Sequence, residues 1–341
     1  MNYPNSCYQN PHIFYHRHLI LILSLFCHTL YLLTLELMMK EKHLLSIADL
    51  TPQEIWGLIE RTARFKREPV TAVLAGKSVA LLFEKPSLRT RVSFDLAVHQ
   101  LGGHPIYLGR EEVGLGVREP PEDMARVLSR YVNALVVRTF AQSTLETLAQ
   151  HASVPVINAL SNEEHPCQAL ADLLTIYEKK GNLKDINIVY IGDGNNVAAS
   201  LALAAASVGA NFAIASPPGY HIPTPVMEKA RARAQDNGGN LTLSESPHEV
   251  VRNADVIYTD VWVSMGQEEE TERRRMAFES YRVDQDLLAQ AKAGALFMHP
   301  LPAHPGEETS IGLLEHPQSV VFDQAENRLH VQKALLAEIL G

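Results

Sequence analysis

From Leu50 onward, stretches of helical hydrophobic spacing alternate with short, almost wholly apolar runs, the pattern of a parallel sheet covered by helices. Thr51-Pro52-Gln53-Glu54 supplies a capping hydroxyl, a proline at the first helical position and an acid able to reach back to the cap. It predicts a helix over 52–66. A strand is expected over 78–83, followed by the polar Glu84-Lys85-Pro86-Ser87 and a helix over 90–101 closed by Gly102-Gly103. Further strands are expected over 134–137, ending in Arg138, and over 154–157, leading to Asn158; a helix over 165–179 comes next. Gly181-Asn182 then punctuates the chain, and a second series of strands follows at 186–191, 211–215, 256–258 and 295–298. The last helix is expected over 329–340, crossing back onto the first domain. No internal repeat or low-complexity tract interrupts this alternation.

The first 38 residues differ. Residues 19–35 form a nearly unbroken apolar run behind His16-Arg17-His18, borderline in length for a membrane span. No small-x-small cleavage site follows it, and the Arg- and Ser-rich composition of a transit peptide is lacking. Ordinary soluble patterning begins at Lys40-Glu41-Lys42-His43, directly after Met38 and Met39. Residues 1–38 are therefore read as a hydrophobic extension outside the domains, upstream sequence ahead of a later start. A membrane anchor is the alternative, and membrane contact is expected only if the extension belongs to the native protein.

A length of 341 residues predicts two domains, since single cores stop growing near 250–300 residues. The boundary falls near 180: a first domain over 39–180, joined by the C-terminal helix 326–341, and a second over 181–325. The 46% hydrophobic and 20% charged composition is that of a globular protein. A net charge of -9 gives no support to a phosphate-backbone interface, so no nucleic-acid partner is expected and any anion site must be local. Cys7, Cys27 and Cys167 match neither a zinc spacing nor a disulfide framework, which predicts a cytoplasmic protein. No metal and no organic cofactor is expected.

Candidate chemistry concentrates at strand ends. Ser87-Leu88-Arg89-Thr90-Arg91 lies between a strand and a helix, where unpaired N–H groups, hydroxyls and guanidinium groups together suit a phosphate. In His165-Pro166-Cys167-Gln168 a histidine and an amide stand one turn apart, able to donate to and accept from one small polar group. Arg138 ends its strand at the carboxyl edge, where open α/β sheets bind ligands. The loop Gly192-Asp193-Gly194-Asn195-Asn196-Val197 lacks the third glycine of a dinucleotide fingerprint and suits presentation of Asn196 to a small ligand. Asp260, with the following Trp262-Val263-Ser264-Met265-Gly266, fits an ammonium group on an aliphatic stem. Singly, the histidine and amide pair, Arg138 and Asp260 are more often structural residues, whereas the Ser87–Arg91 segment favours an anion site by its own placement between strand and helix.

These residues also carry a resemblance. The strings Phe83-Glu84-Lys85-Pro86-Ser87-Leu88-Arg89-Thr90-Arg91, His165-Pro166-Cys167-Gln168-Ala169-Leu170-Ala171-Asp172, Asp260-Val261-Trp262-Val263-Ser264-Met265-Gly266 and His299-Pro300-Leu301-Pro302 resemble the signature blocks of ornithine carbamoyltransferases, in family order and spacing over 39–341. The resemblance implies an α/β fold of two domains, each a parallel sheet flanked by helices, acting on carbamoyl phosphate and L-ornithine. By the same resemblance Ser87, Leu88, Arg89 and Thr90 hold the phosphate, while Arg138, His165 and Gln168 hold the carbamoyl end. Arg328 closes from the C-terminal segment, and Asn196, Asp260, Ser264 and Met265 grip ornithine. Arg138, His165, Gln168, Asp260 and Pro300 are the expected catalytic set. A homotrimer with sites near subunit interfaces and ordered binding, carbamoyl phosphate first, are also implied.

Three positions depart from the family pattern. Leu88 replaces a frequent threonine, and Gly114 stands where many relatives carry histidine or glutamine directed at a neighbouring subunit. Pro300 replaces a cysteine; its carbonyl and that of Leu301 remain able to accept from the carbamoyl NH₂ and the δ-amine. An altered acceptor affinity or pH profile, with the same reaction, is expected. The competing readings are a carbamoyltransferase for another amine, such as acetylornithine or putrescine, a non-catalytic paralogue, and a nucleotide-dependent dehydrogenase.

Overall fold

The computed structural model describes residues 39–68, 72–114 and 118–341; the expected extension over 1–38 lies outside the described residues, as do Leu115 and Gly116. Two parallel sheets organise the rest. The first has the order β2-β1-β3-β4, built from β1 (Ser78–Phe83), β2 (His104–Leu108), β3 (Ala134–Arg138) and β4 (Val156–Leu160). The second has the order β7-β6-β5-β8-β9, built from β5 (Asn187–Ile191), β6 (Asn211–Ala215), β7 (Leu241–Ser244), β8 (Val256–Thr259) and β9 (Leu296–Met298). Helices cover both faces, so central strands have no solvent side. Val79 to Phe83 are accordingly all buried apolar residues.

Strand order reverses between β1 and β3 in the first sheet and between β5 and β8 in the second. In each case the carboxyl ends lie level: Phe83 pairs with Arg138, and Ile191 with Thr259. Such switch points open a crevice beyond the strand ends. The turns that follow β1 and β5 each lead into a helix, Leu88–Gln100 and Asn196–Ser207, aimed back along the sheet.

The largest apolar core runs continuously through both halves, from Leu44 and Ile55 through Leu170 and Leu174 to Leu201 and Ile214. The C-terminal helix, Val321–Leu340, packs on the helices Pro52–Arg67, Leu88–Gln100 and Pro166–Lys180, which returns the end of the chain to the first sheet. Among the described residues no helix is long and apolar enough to cross a membrane.

Several expected bounds move. The C-terminal helix begins at Val321 instead of 329, because its first turns bury Gln324, Asn327 and Arg328, polar residues that hide the apolar period. The strand expected over 154–157 is β4, Val156–Leu160, and includes Asn158. That side chain is buried, with its Nδ2 donating to the Leu45 carbonyl at 2.8 Å and its Oδ1 without a protein partner. The helix expected from 90 starts at Leu88, and the strands β2 and β7 were not expected at all. Both are sheet edges whose residues are half-exposed, so neither shows a buried run.

Candidate active site

The two crevices face each other and merge into a cavity of about 940 Å³. Its first wall begins where β1 ends. Ser87 caps the following helix, its Oγ accepting from the Thr90 N–H at 3.3 Å, and leaves the first-turn N–H groups of Leu88 and Arg89 at a helix N-terminus. Ser87, Leu88 and Arg89 all line the cavity. Thr90 does not: it is fully buried and its Oγ1 accepts from Arg328 Nη2 at 2.7 Å. It therefore acts on the site through Arg328. Arg91, the second guanidinium of the motif, lies 3.7 Å over the Tyr107 ring and stays outside the cavity.

The guanidinium groups that do join Arg89 come from elsewhere, Arg138 from the end of β3 and Arg328 from the C-terminal helix. Arg138 is 8% exposed and Arg328 4%. Burial, reinforced by Arg328 and Arg89, pulls Arg138 down to about 9. Burial likewise pulls Arg328 down to about 10, and lowers Arg89. Lys85 lines the same wall, 4.4 Å over the Phe140 ring and donating to Asn162 Oδ1; burial and the Arg138 charge bring it to about 8. The Nε atoms of both Arg138 and Arg328 have no protein hydrogen-bond partner. Cations have been gathered here against their mutual repulsion, the arrangement of an anion site.

His165 caps the helix Pro166–Lys180 and is fixed by its backbone N–H, which donates to Ser200 Oγ at 2.8 Å. Burial, then Arg328 and Arg138, hold the imidazole well below its usual range, so the ring is neutral. Its Nδ1 and the Oε1 of Gln168, one turn on, are buried without protein partners. Both residues line the cavity beside Arg138.

The opposite wall grows from β5 and β8. A Cβ at Gly194 would lie 2.2 Å from the Ile222 nitrogen, so only glycine lets this loop pass beneath that segment. Asn195 then caps the helix Asn196–Ser207, its Oδ1 accepting from the N–H groups of Val197 and Ala198 at 2.9 and 3.1 Å. The oxygen being so committed, Nδ2 must point the other way, and it donates to Asp260 Oδ2 at 2.8 Å. Asn196 Nδ2 donates to the Ser161 carbonyl at 2.6 Å. Burial raises the Asp260 carboxyl, against the stabilising bond from Asn195. At the mouth, Arg274 donates to Asp193 Oδ2 at 2.8 Å and to Glu270 Oε2 at 2.9 Å. Ser264 and Met265 line the outer part, Met265 being 44% exposed.

Pro300 and Leu301 complete the lining. Leu301 has a φ of 56°, and its N–H donates to His299 Nδ1 at 2.9 Å. The accepting Nδ1 leaves the ring hydrogen on Nε2, which faces Glu308 Oε1 at 3.1 Å. Gly114 does not line this cavity; it ends the short helix Arg110–Val113 with a φ of 51°.

Every expected site residue except Thr90 thus lines one cavity. Sequence reasoning passed over Lys85 and Asn195. The first was legible as a cation beside a phosphate-type turn, the second as the capping asparagine of a helix. Asp193 and Arg274 meet across 81 residues and left no local trace in the sequence. Among the described residues no group of three or more His, Cys, Asp or Glu side chains is arranged to hold a metal ion.

Comparison with known proteins gives the same two halves. Residues 42–178 match the family model of the carbamoyl-P binding domain of aspartate/ornithine carbamoyltransferase, and residues 184–339 match that of its Asp/Orn binding domain. The ornithine carbamoyltransferase of Acidothermus cellulolyticus is 52% identical over 301 residues, covering 88% of this chain and 96% of the relative. The anabolic ornithine carbamoyltransferase of Pyrococcus furiosus is 49% identical over 304 residues, covering 88% and 96%. The solved structure of ornithine carbamoyltransferase from P. furiosus superposes with a TM-score of 0.86 at 48% identity, covering 89% of this chain and 98% of that one. With both halves matched and half of all residues shared across nearly the whole of these relatives, this chain belongs to the aspartate/ornithine carbamoyltransferase family.

Proposed function

We infer that the protein transfers the carbamoyl group of carbamoyl phosphate to the δ-amine of L-ornithine, giving L-citrulline and phosphate. One observation carries this: Arg89, Arg138, Arg328 and Lys85 converge on a helix N-terminus beside a neutral imidazole and a buried amide oxygen without protein partners. That set complements a phosphate joined to a carbonyl and an NH₂. The guanidinium groups hold the phosphate oxygens, His165 donates to the carbonyl oxygen, and Gln168 Oε1 accepts from the NH₂. Asp260 takes the α-ammonium of ornithine, with Asn196, Ser264 and Met265 around its stem. The carbonyls of Pro300 and Leu301 accept from the carbamoyl NH₂ and the δ-amine. The free amine attacks the carbamoyl carbon, the tetrahedral intermediate collapses, and phosphate leaves with the proton the amine gives up. Holding two small substrates in attack geometry supplies roughly 7–11 kcal/mol of the barrier reduction. The same geometry serves the reverse reaction.

The division into 39–180 with 326–341, and 181–325, is proposed as the carbamoyl phosphate and ornithine domains; it is supported by one switch point lying in each. A homotrimer is also proposed. It is supported by the row Leu88, Val92 and Leu96, exposed apolar residues along one helix that begins at the site. Light scattering should return about three times 37.8 kDa. A cytoplasmic location is proposed on the cysteine usage.

The test is an assay of the purified protein with carbamoyl phosphate and each of ornithine, acetylornithine and putrescine. Citrulline and phosphate should appear in equal amounts with ornithine alone. Calorimetry should show carbamoyl phosphate binding that Arg89→Leu abolishes; uptake unaffected by that change would falsify the assignment.

A further inference from the structure

Behind the cavity, reaching it only through Gln168, lies a cluster of buried polar side chains drawn from both halves. Asp172 Oδ1 accepts from Gln168 Nε2 at 2.9 Å and from Gln324 Nε2 at 2.7 Å. Its Oδ2 is 3.0 Å from the Tyr258 hydroxyl, and Gln324 Nε2 also lies 3.0 Å from that hydroxyl. Gln324 Oε1 in turn accepts from the His299 N–H at 2.9 Å. All of these side chains are buried, and Asp172 comes from the helix Pro166–Lys180, Tyr258 from β8 and Gln324 from the C-terminal helix.

We propose that Asp172 and Gln324 are positioning residues for the reaction. Asp172 turns the Gln168 amide so that its oxygen faces the carbamoyl NH₂, and Gln324 ties that amide to the turn carrying Pro300 and Leu301. The inference rests on the carbamoyl-transfer reading above. An amide has two ends that look alike in shape and opposite in hydrogen bonding, and packing alone cannot choose between them. A carboxylate oxygen can only accept, so it claims the NH₂ of Gln168 and leaves Oε1, buried and without a protein partner, as the free acceptor of a residue that lines the cavity. The choice survives protonation of Asp172. A proton on Oδ2 would be donated to the Tyr258 hydroxyl, and Oδ1 would go on accepting from both amides.

From Asp172 the chain of bonds continues through Gln324 to the His299 backbone, and His299 Nδ1 holds the Leu301 N–H. Oε1 of Gln168 and the 300–301 carbonyls would both contact the carbamoyl NH₂. One buried cluster thereby sets acceptors approaching the same group from two sides.

The experiment compares carbamoyl phosphate with acetyl phosphate, in which a methyl replaces the NH₂, as ligands of the full-length protein. The parent should prefer carbamoyl phosphate. Asp172→Leu frees the Gln168 amide, and the preference should fall about tenfold or more, which corresponds to about 1.4 kcal/mol. Acetyl phosphate binding should change far less, an asymmetry that general damage to the fold does not produce. Asp172→Asn keeps an accepting oxygen for both amides and an N–H for Tyr258, and should retain the preference. Gln324→Leu loosens the turn carrying the 300–301 carbonyls, so it should raise the ornithine KM and weaken carbamoyl phosphate while leaving the acetyl phosphate Kd within about twofold. The proposal is overturned if a folded Asp172→Leu protein keeps the parent preference, or if Asp172→Asn loses it. Should Asp172→Leu not fold, Asp172→Asn and Gln324→Leu decide alone, and loss of preference in the first or an unchanged ornithine KM in the second is fatal. A parent that binds neither phosphate sinks the functional reading itself; a parent that binds both equally sinks only this one.

Discussion

Cations crowded into a buried site repel one another, and the repulsion is stored in their protonation equilibria. Lys85, held at about 8 by burial and Arg138, is the cation of this wall whose charge changes within the working range. The sign follows directly. A depressed lysine is charged below its folded value and neutral above it, and a bound dianion favours the charged form. Carbamoyl phosphate binding at pH 8 should therefore take up a proton, about half of one per site. Calorimetry in buffers of different ionisation enthalpy measures this, and Lys85→Met should abolish it. The δ-amine pulls the other way, since only its free form attacks. kcat should rise toward alkaline pH while carbamoyl phosphate affinity falls above about 8, giving a bell in kcat/KM. On the acceptor side, Asn195→Asp keeps a capping oxygen but sets a carboxylate against Asp260, now 2.8 Å from the amide. Ornithine KM should rise at least about tenfold with carbamoyl phosphate Kd unchanged, reflecting a lost charge-assisted bond of about 1.5–3 kcal/mol. Replacing Pro300 by cysteine restores a thiol beside the attacking amine, and the acceptor KM or pH profile should shift; if both stayed put, Pro300 would be a neutral departure.

At the level of the elements, the turn after each switch-point strand is where folding and function meet. Gly194→Ala places a methyl 2.2 Å from the backbone nitrogen of Ile222, which cannot retreat as a flexible side chain would. A destabilisation of about 1–3 kcal/mol is expected, visible as a fall in Tm, with ornithine binding weakened because Asn195 and Asn196 follow directly. These turns were legible in the sequence because each combines a buried apolar run with a cap and a charged or amide side chain at a fixed offset. Ser87 after β1 and Asn195 after β5 are of this kind. What escaped was whatever lacked such periodicity. Edge strands β2 and β7 bury too little to show a run, and the first turns of the C-terminal helix bury Gln324, Asn327 and Arg328, so their inward face reads as polar. The expected site residues came partly from their position relative to strand ends, as for Arg138, and partly from the resemblance, as for Arg328 and Met265. Their partners were not legible, because Thr90 with Arg328 and Asp193 with Arg274 are pairs made by the fold over long separations.

The whole molecule is joined at the back and open at the front. Its main core runs unbroken through the helices Pro166–Lys180 and Asn196–Ser207, and Asn196 and Ser200 bond to the 161–165 segment of the first half. A body packed so tightly resists wholesale rotation of one half on the other. The mouth differs, because Met265 is exposed and the 264–268 turn is held by its own bonds, from the Ser264 N–H to Gln267 and from the Gly266 N–H to Glu268. Closure over two bound substrates should therefore be carried mainly by this segment, with Arg274 anchoring its base through Asp193 and the Trp262 carbonyl. Hydrogen exchange with carbamoyl phosphate and norvaline, which is ornithine without its reacting amine, tests this. Amides over 264–270 should slow about tenfold or more, equivalent to about 1.4 kcal/mol of local stabilisation, while those of β1 and β5 change little. Carbamoyl phosphate alone should leave the segment unprotected, because its contacts lie on the opposite wall. Uniform slowing across both sheets would instead mean that the halves move as rigid bodies and that the continuous core is no obstacle to it.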